Sequence, residues 1–167
     1  MLIVVTMLLS GCSESKPPPE AVTSGLVVKL SLEELVANAD QIVMGTIIAK
    51  ESRQNAESNS ICTLATLSTK QWLKGKSPDK EIAISVPGEE TNGISEWVED
   101  VASFEPGESV LVFLQINRDG TSGVVGGCQG KFIVTNGNVV QDQLSSNELL
   151  LTKLISQIET EVDKTSE

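Results

Sequence analysis

Residues 41–135 constrain the fold more than any other part of the chain, because short runs of Val, Ile, Leu and Thr recur there between Gly, Pro, Asn and Ser. Several such runs in succession predict an antiparallel β-sandwich or a closed barrel. Strands are expected at 41–51, 61–73, 81–86, 109–115 and 123–135, the last bent or broken at its glycines, so the count is five or six. Gly45, inside the first of them, predicts a bulge or sharp coil of the kind that barrel closure needs. Asn136-Gly137, with Val139 and Val140 beyond it, predicts a tight hairpin turn. Aromatic residues are only 3% of the chain, so a core here must be built from Val, Ile and Leu, which suit a half-buried pleated surface.

Helical patterns flank this β region. Ser31 with Glu34 three residues on is a capping-box pattern, and Leu32, Leu35 and Val36 give the short helix one apolar stripe before Ala39-Asp40 ends it. Residues 25–30 read as a strand or lead-in to that helix. Ser145 and Glu148 repeat the capping pattern, and Leu151, Ile155, Ile158 and Val162 predict an amphipathic helix packed on the barrel. The composition is mostly β with two peripheral helices, and about 140 residues beyond the first two dozen are a usual size for one domain.

The N-terminus carries a different signal. An apolar run ends at Leu9-Ser10-Gly11-Cys12, and the polar Ser13-Glu14-Ser15-Lys16 follows at once. A membrane span needs about 20 apolar residues, which this run does not reach. The tetrapeptide resembles the lipobox of bacterial lipoproteins. That resemblance implies a lipid on the Cys12 sulfur, removal of signal peptide 1–11, and a domain held at the extracytoplasmic face of a membrane. In an envelope with two membranes, Ser13 after the cysteine implies the periplasmic face of the outer membrane; otherwise the site is the outer face of the cell membrane. Residues 12–24, with Pro17-Pro18-Pro19 among Ser, Glu and Lys, then read as a flexible tether reaching about 35 Å in polyproline geometry, and residues 25–167 as the single anchored domain.

A second resemblance covers residues 31–140. It rests on the helix Ser31-Leu32-Glu33-Glu34-Leu35, on Ala39-Asp40-Gln41-Ile42-Val43-Met44-Gly45-Thr46-Ile47, on Trp72-Leu73-Lys74-Gly75, and on Phe104-Glu105-Pro106-Gly107-Glu108 leading into Ser109-Val110-Leu111-Val112-Phe113-Leu114. These segments are similar to bacterial exported domains related to netrin-like and tissue-metalloproteinase-inhibitor modules. The resemblance implies a five- to six-stranded antiparallel OB-like Greek-key barrel with a short N-terminal helix and a C-terminal amphipathic helix. It also implies protease inhibition as an alternative function. Family inhibitors ligate a protease zinc through a free N-terminal cysteine within Cys-x-Cys, whereas Cys12 is followed here by Ser13-Glu14.

Chemistry is narrowed chiefly by what the chain lacks. It has no histidine, which removes His-based triads and the commonest general base. It has three cysteines; with Cys12 committed to lipid, too few remain for a transition-metal cluster. Cys62 and Cys128 are the spare pair, and in an exported chain a disulfide between them is the expectation. Gly75-Lys76-Ser77 lacks the upstream glycine of a phosphate-binding loop, since Lys70 stands there, and Pro78 opposes a following helix. The glycines of 123–130 precede a strand rather than a helix, so no dinucleotide pocket is indicated. No catalytic, cofactor-binding or metal residue is assigned, and no cofactor is expected.

Charge points to a partner of another kind. The net charge of −11 argues against nucleic acid and anionic lipid surfaces as partners. Lys70, Lys74, Lys76 and Lys80 read as a solvated hairpin tip. Eight Asp or Glu residues and no Lys or Arg fall between Glu81 and Glu108, with Trp97 set among Glu96, Glu99 and Asp100. Residues 88–107 are therefore expected to be a surface loop, and Glu96, Trp97, Glu99 and Asp100 the contact with an unidentified envelope protein or ligand. The function expected is a lipid-anchored binding or envelope-structural module without catalysis, with protease inhibition or a carboxylate-based enzyme as alternatives.

Overall fold

The computed structural model describes residues 29–54, 61–91, 94–96, 100–141 and 149–165. Five strands close into a barrel: β1 (Gln41–Gln54), β2 (Ile61–Lys74), β3 (Glu81–Pro87), β6 (Ser109–Ile116) and β7 (Ser122–Val124). Between β3 and β6 lie the three-residue strands β4 (Glu89–Thr91) and β5 (Ile94–Glu96), which among the described residues pair only with each other. The chain runs β1-β2-β3 as a meander, crosses to β6, and turns back into β7. β6 also pairs with β1, from Gln41↔Leu114 to Thr46↔Ser109, and so closes the sheet on itself. This is the OB-like Greek-key arrangement, with one departure from the all-antiparallel expectation. Because the crossover reverses direction once more before β7, β7 runs parallel to β3 where they meet at Ile84↔Ser122.

The predicted last strand is broken at its glycines. β7 ends at Val124, a 3-10 turn occupies Gly127–Gly130, and β8 (Lys131–Thr135) resumes the pairing with β6 at Val112↔Lys131. β9 (Asn138–Gln141) follows through Asn136-Gly137, both at positive φ, as the two-residue hairpin requires. The short β10 (Leu149–Leu150) pairs with β9 and leads into α2 (Leu151–Thr165). Ser145 and Glu148 lie outside the described residues, and α2 itself starts three residues after Glu148. α1 (Leu32–Asn38) is closed by both bonds of its capping box: the Glu34 amide donates to Ser31 Oγ at 3.2 Å and the Ser31 amide to Glu34 Oε2 at 2.8 Å. Lys29 and Leu30 carry no strand, and the rest of the expected lead-in lies outside the described residues.

Gly45 works as anticipated. The register of β1 on β2 shifts between Met44 and Gly45, and a Cβ there would sit 2.2 Å from the Ser68 carbonyl oxygen. The bare backbone is what lets β1 coil tightly enough to pair with β2 and β6 at once.

Two apolar clusters result, on the two sides of the barrel wall. Inside lie Val43, Ile47, Ala65, Leu67, Ile82, Ile84, Val86, Val110, Val112 and Leu114, joined by Ala102 and Phe104. Outside, under the helices, lie Ile42, Leu111, Phe113, Val125, Phe132 and Val139, covered by Leu35, Val36 and Ala39 at one chain end and Leu154 and Ile158 at the other. β6 feeds both, which is why its run Val110-Leu111-Val112-Phe113-Leu114 is fully buried without alternation.

Candidate functional site

The interior of a small barrel must be filled, and the strands here supply mainly Val, Ile and Leu. The remaining volume is taken by a segment that belongs to no strand. Residues 100–105 add Ala102 and Phe104, 1% and 0% exposed, to the interior cluster. This corrects the expectation that 88–107 is a surface loop throughout. Part of it is core, because a barrel of small side chains needs one large ring, and Phe104 is one of only three phenylalanines.

Both ends of the acidic stretch are tied to buried groups. On the β3 side, the Gly88 amide donates to the Ile61 carbonyl at 2.9 Å, and Thr63, fully buried, donates its hydroxyl to the Gly88 carbonyl at 2.9 Å. On the β6 side, the Cys128 amide donates to the Asp100 carbonyl at 2.8 Å. Gly127 makes room for that carbonyl: its φ is +63°, and a Cβ would fall 2.0 Å from Asp100 O. The same 3-10 turn receives the chain at its entry, since Gln129, 2% exposed, accepts the Leu30 amide at 2.7 Å. The point where the N-terminal segment joins the domain and the root of the acidic stretch therefore share one support.

The most unusual group nearby is Lys131, whose side chain is 2% exposed. It stands opposite the interior residue Val112 and so faces into the barrel. Its Nζ lies 2.9 Å from Glu108 Oε2, donates to the Ser103 carbonyl, and sits 4.9 Å from the centre of the Phe104 ring. A buried ammonium persists only when paired in this way. Sequence reasoning missed it. In Lys131-Phe132-Ile133-Val134 neither strand face is polar throughout, so alternation does not say which residue points inward.

Of the residues proposed for partner contact, Asp100 is described, half-buried at positive φ, with its carbonyl engaged as above. Glu96 is the last residue of β5. Trp97 and Glu99 lie outside the described residues, as does Cys12. The four are therefore not brought together as one described cluster. No helix among the described residues is long and apolar enough to cross a membrane, and no three metal-ligating side chains meet there.

The expected Cys62–Cys128 disulfide is not formed. Strand parity explains it. On β2 the buried residues are Ile61, Thr63, Ala65 and Leu67, so Cys62 faces outward, 3.0 Å from Ser85 Oγ on the neighbouring β3. Cys128 is fully buried in the 3-10 turn beyond β7. The lysine group also divides: Lys70, Lys76 and Lys80 are exposed, whereas Lys74 Nζ donates to the Val36 carbonyl at 2.7 Å and closes the C-terminal turn of α1.

Comparison with protein-family models and with curated proteins finds no match to this chain.

Proposed function

We propose that this protein is a lipid-anchored, extracytoplasmic binding or envelope-structural module, held at the membrane through Cys12 and acting without catalysis on an envelope protein or ligand. The observation that carries the reading is the filled barrel. With Phe104 and ten strand side chains packed inside, the interior is occupied by the chain's own residues, which favours recognition at the outer surface. The stretch between Gly88 and Asp100 supports that role, because hydrogen bonds at both of its ends join it to buried residues. A surface held at both ends loses less entropy when a partner binds. Leu9-Ser10-Gly11-Cys12 supports the anchor.

Two variants test the two halves. Cys12→Ala should release the full chain from the membrane fraction; a variant that still sediments with membrane and carries lipid sinks the anchor. Trp97→Ala should leave the melting temperature nearly unchanged while weakening crosslinked capture of the native envelope partner. A large fall in melting temperature would instead place Trp97 in the core, and unchanged capture would remove the contact assignment. Loss of a co-purifying protease's activity on adding the protein would replace binding with inhibition.

A further inference from the structure

We propose that residues 100–105 form a latched strap, a segment that opens separately from the barrel, and that the buried Lys131 ammonium is the latch. The strap belongs to no strand, so no run of ladder bonds crosses it. Its Ala102 and Phe104 fill the interior, and its carbonyls at Asp100 and Ser103 accept from the Cys128 amide and Lys131 Nζ. Segments with few backbone bonds to the main ladder open at lower free energy than the global transition. Lys131 sets the closed position from β8, a strand paired on both sides: its head group meets Ser103, the Phe104 ring and Glu108 at the strap's far end.

A buried ion pair is a poor source of stability, since well-packed apolar residues of like size often serve as well or better. Its geometry is specific, however, and one ammonium that touches a carbonyl, a ring and a carboxylate fixes the strap in one register. Opening would free the Asp100 carbonyl from the 3-10 turn, release the C-terminal root of the acidic stretch, and uncover Cys128. Cys128 is fully buried and its amide is bonded to the strap's Asp100 carbonyl, so its thiol serves as a built-in reporter.

The test uses the full chain in detergent micelles. N-ethylmaleimide modification of Cys128 is followed by peptide mass, with the half-exposed Cys62 as the internal reference. The double variant Lys131→Met with Glu108→Gln removes both charges and leaves neither buried ion unpaired, and its global stability should fall by no more than the closed strap loses. Cys128 modification should accelerate by about tenfold to a hundredfold, the weight of one hydrogen bond to a charged group, with the Cys62 rate unchanged. An unchanged Cys128 rate overturns the latch. So does acceleration accompanied by a larger loss of amide protection at Val110, Val112 and Leu114, which would make Lys131 an ordinary core residue of the barrel. A second measurement needs no variant: in the wild-type chain the Cys128 amide should exchange at least about tenfold faster, relative to its unprotected rate, than the amides of β6. Equal protection means that the strap opens only with the whole barrel, and the proposal fails.

Discussion

The two sides of the barrel wall are filled by different means. The interior takes small side chains from four strands, with the half-buried Trp72 of β2 and Val124 of β7 packed against them, and one fully buried ring, Phe104, from outside the sheet. The outer layer takes two rings, Phe113 and Phe132, with centroids 5.9 Å apart, and is roofed by helices from opposite ends of the domain. The interior therefore closes only when strands distant in sequence have found their register, whereas the roof is added by two amphipathic segments with local signals of their own. Contacts that depend on non-local pairing form late and couple to the whole fold. A helix docked on a finished wall can loosen while the wall stands.

The largest expected effect comes from the interior. Phe104→Ala removes the ring that fills the barrel and the face beneath the Lys131 ammonium, and should cost about 3–5 kcal/mol in denaturant unfolding. Ile158→Ala, which empties a fully buried position under α2, should cost about 2–3 kcal/mol, because the helix can settle toward the wall. Its amide exchange should rise in α1 and α2 and not in β6. If both variants lose equal stability and equal protection everywhere, interior and roof are one cooperative unit and the contrast fails.

Gly45→Ala sharpens the same contrast from the wall itself. The added methyl meets the Ser68 carbonyl, so β1 must uncoil and disturb both faces; a loss of about 1–3 kcal/mol is expected. An unperturbed variant would mean that the register shift is not needed for closure.

The smallest effect lies at the roof's edge. The Ser31 backbone amide and then its hydroxyl donate to Glu34 and hold its carboxyl below the usual carboxylate range. A folded-state value below the unfolded one means that the contribution is present above the unfolded pKa and is lost as pH falls through the folded one. Glu34→Gln keeps the capping geometry but cannot titrate. The difference in stability between wild type and this variant should therefore shift against wild type between neutral pH and the acid side of the ordinary carboxylate range. A difference independent of pH would show that the box contributes by geometry alone.

Much of the fold was legible because its signals are local. The Ser31–Glu34 box, the Asn136-Gly137 turn, the break at the glycines of 123–130 and the coil at Gly45 each express steric or hydrogen-bonding limits within a few residues. The candidate site was less legible. Thr63, Gln129 and Lys131 look in sequence like ordinary polar members of strands and turns; only their partners Gly88, Leu30 and Ser103, each 25 to 99 positions away, give them their roles.

The sequence by itself determined which segments extend, where they turn and which helices flank them, because periods of two and 3.6 and the chemistry of caps are properties of neighbours along the chain. Only the tertiary structure decided the parallel meeting of β3 and β7, the outward face of Cys62, the inward face of Lys131 and the use of Phe104 as core. Each depends on which strand lies alongside and in what register. A shift of one residue in that register exchanges the two faces of a strand without changing its composition.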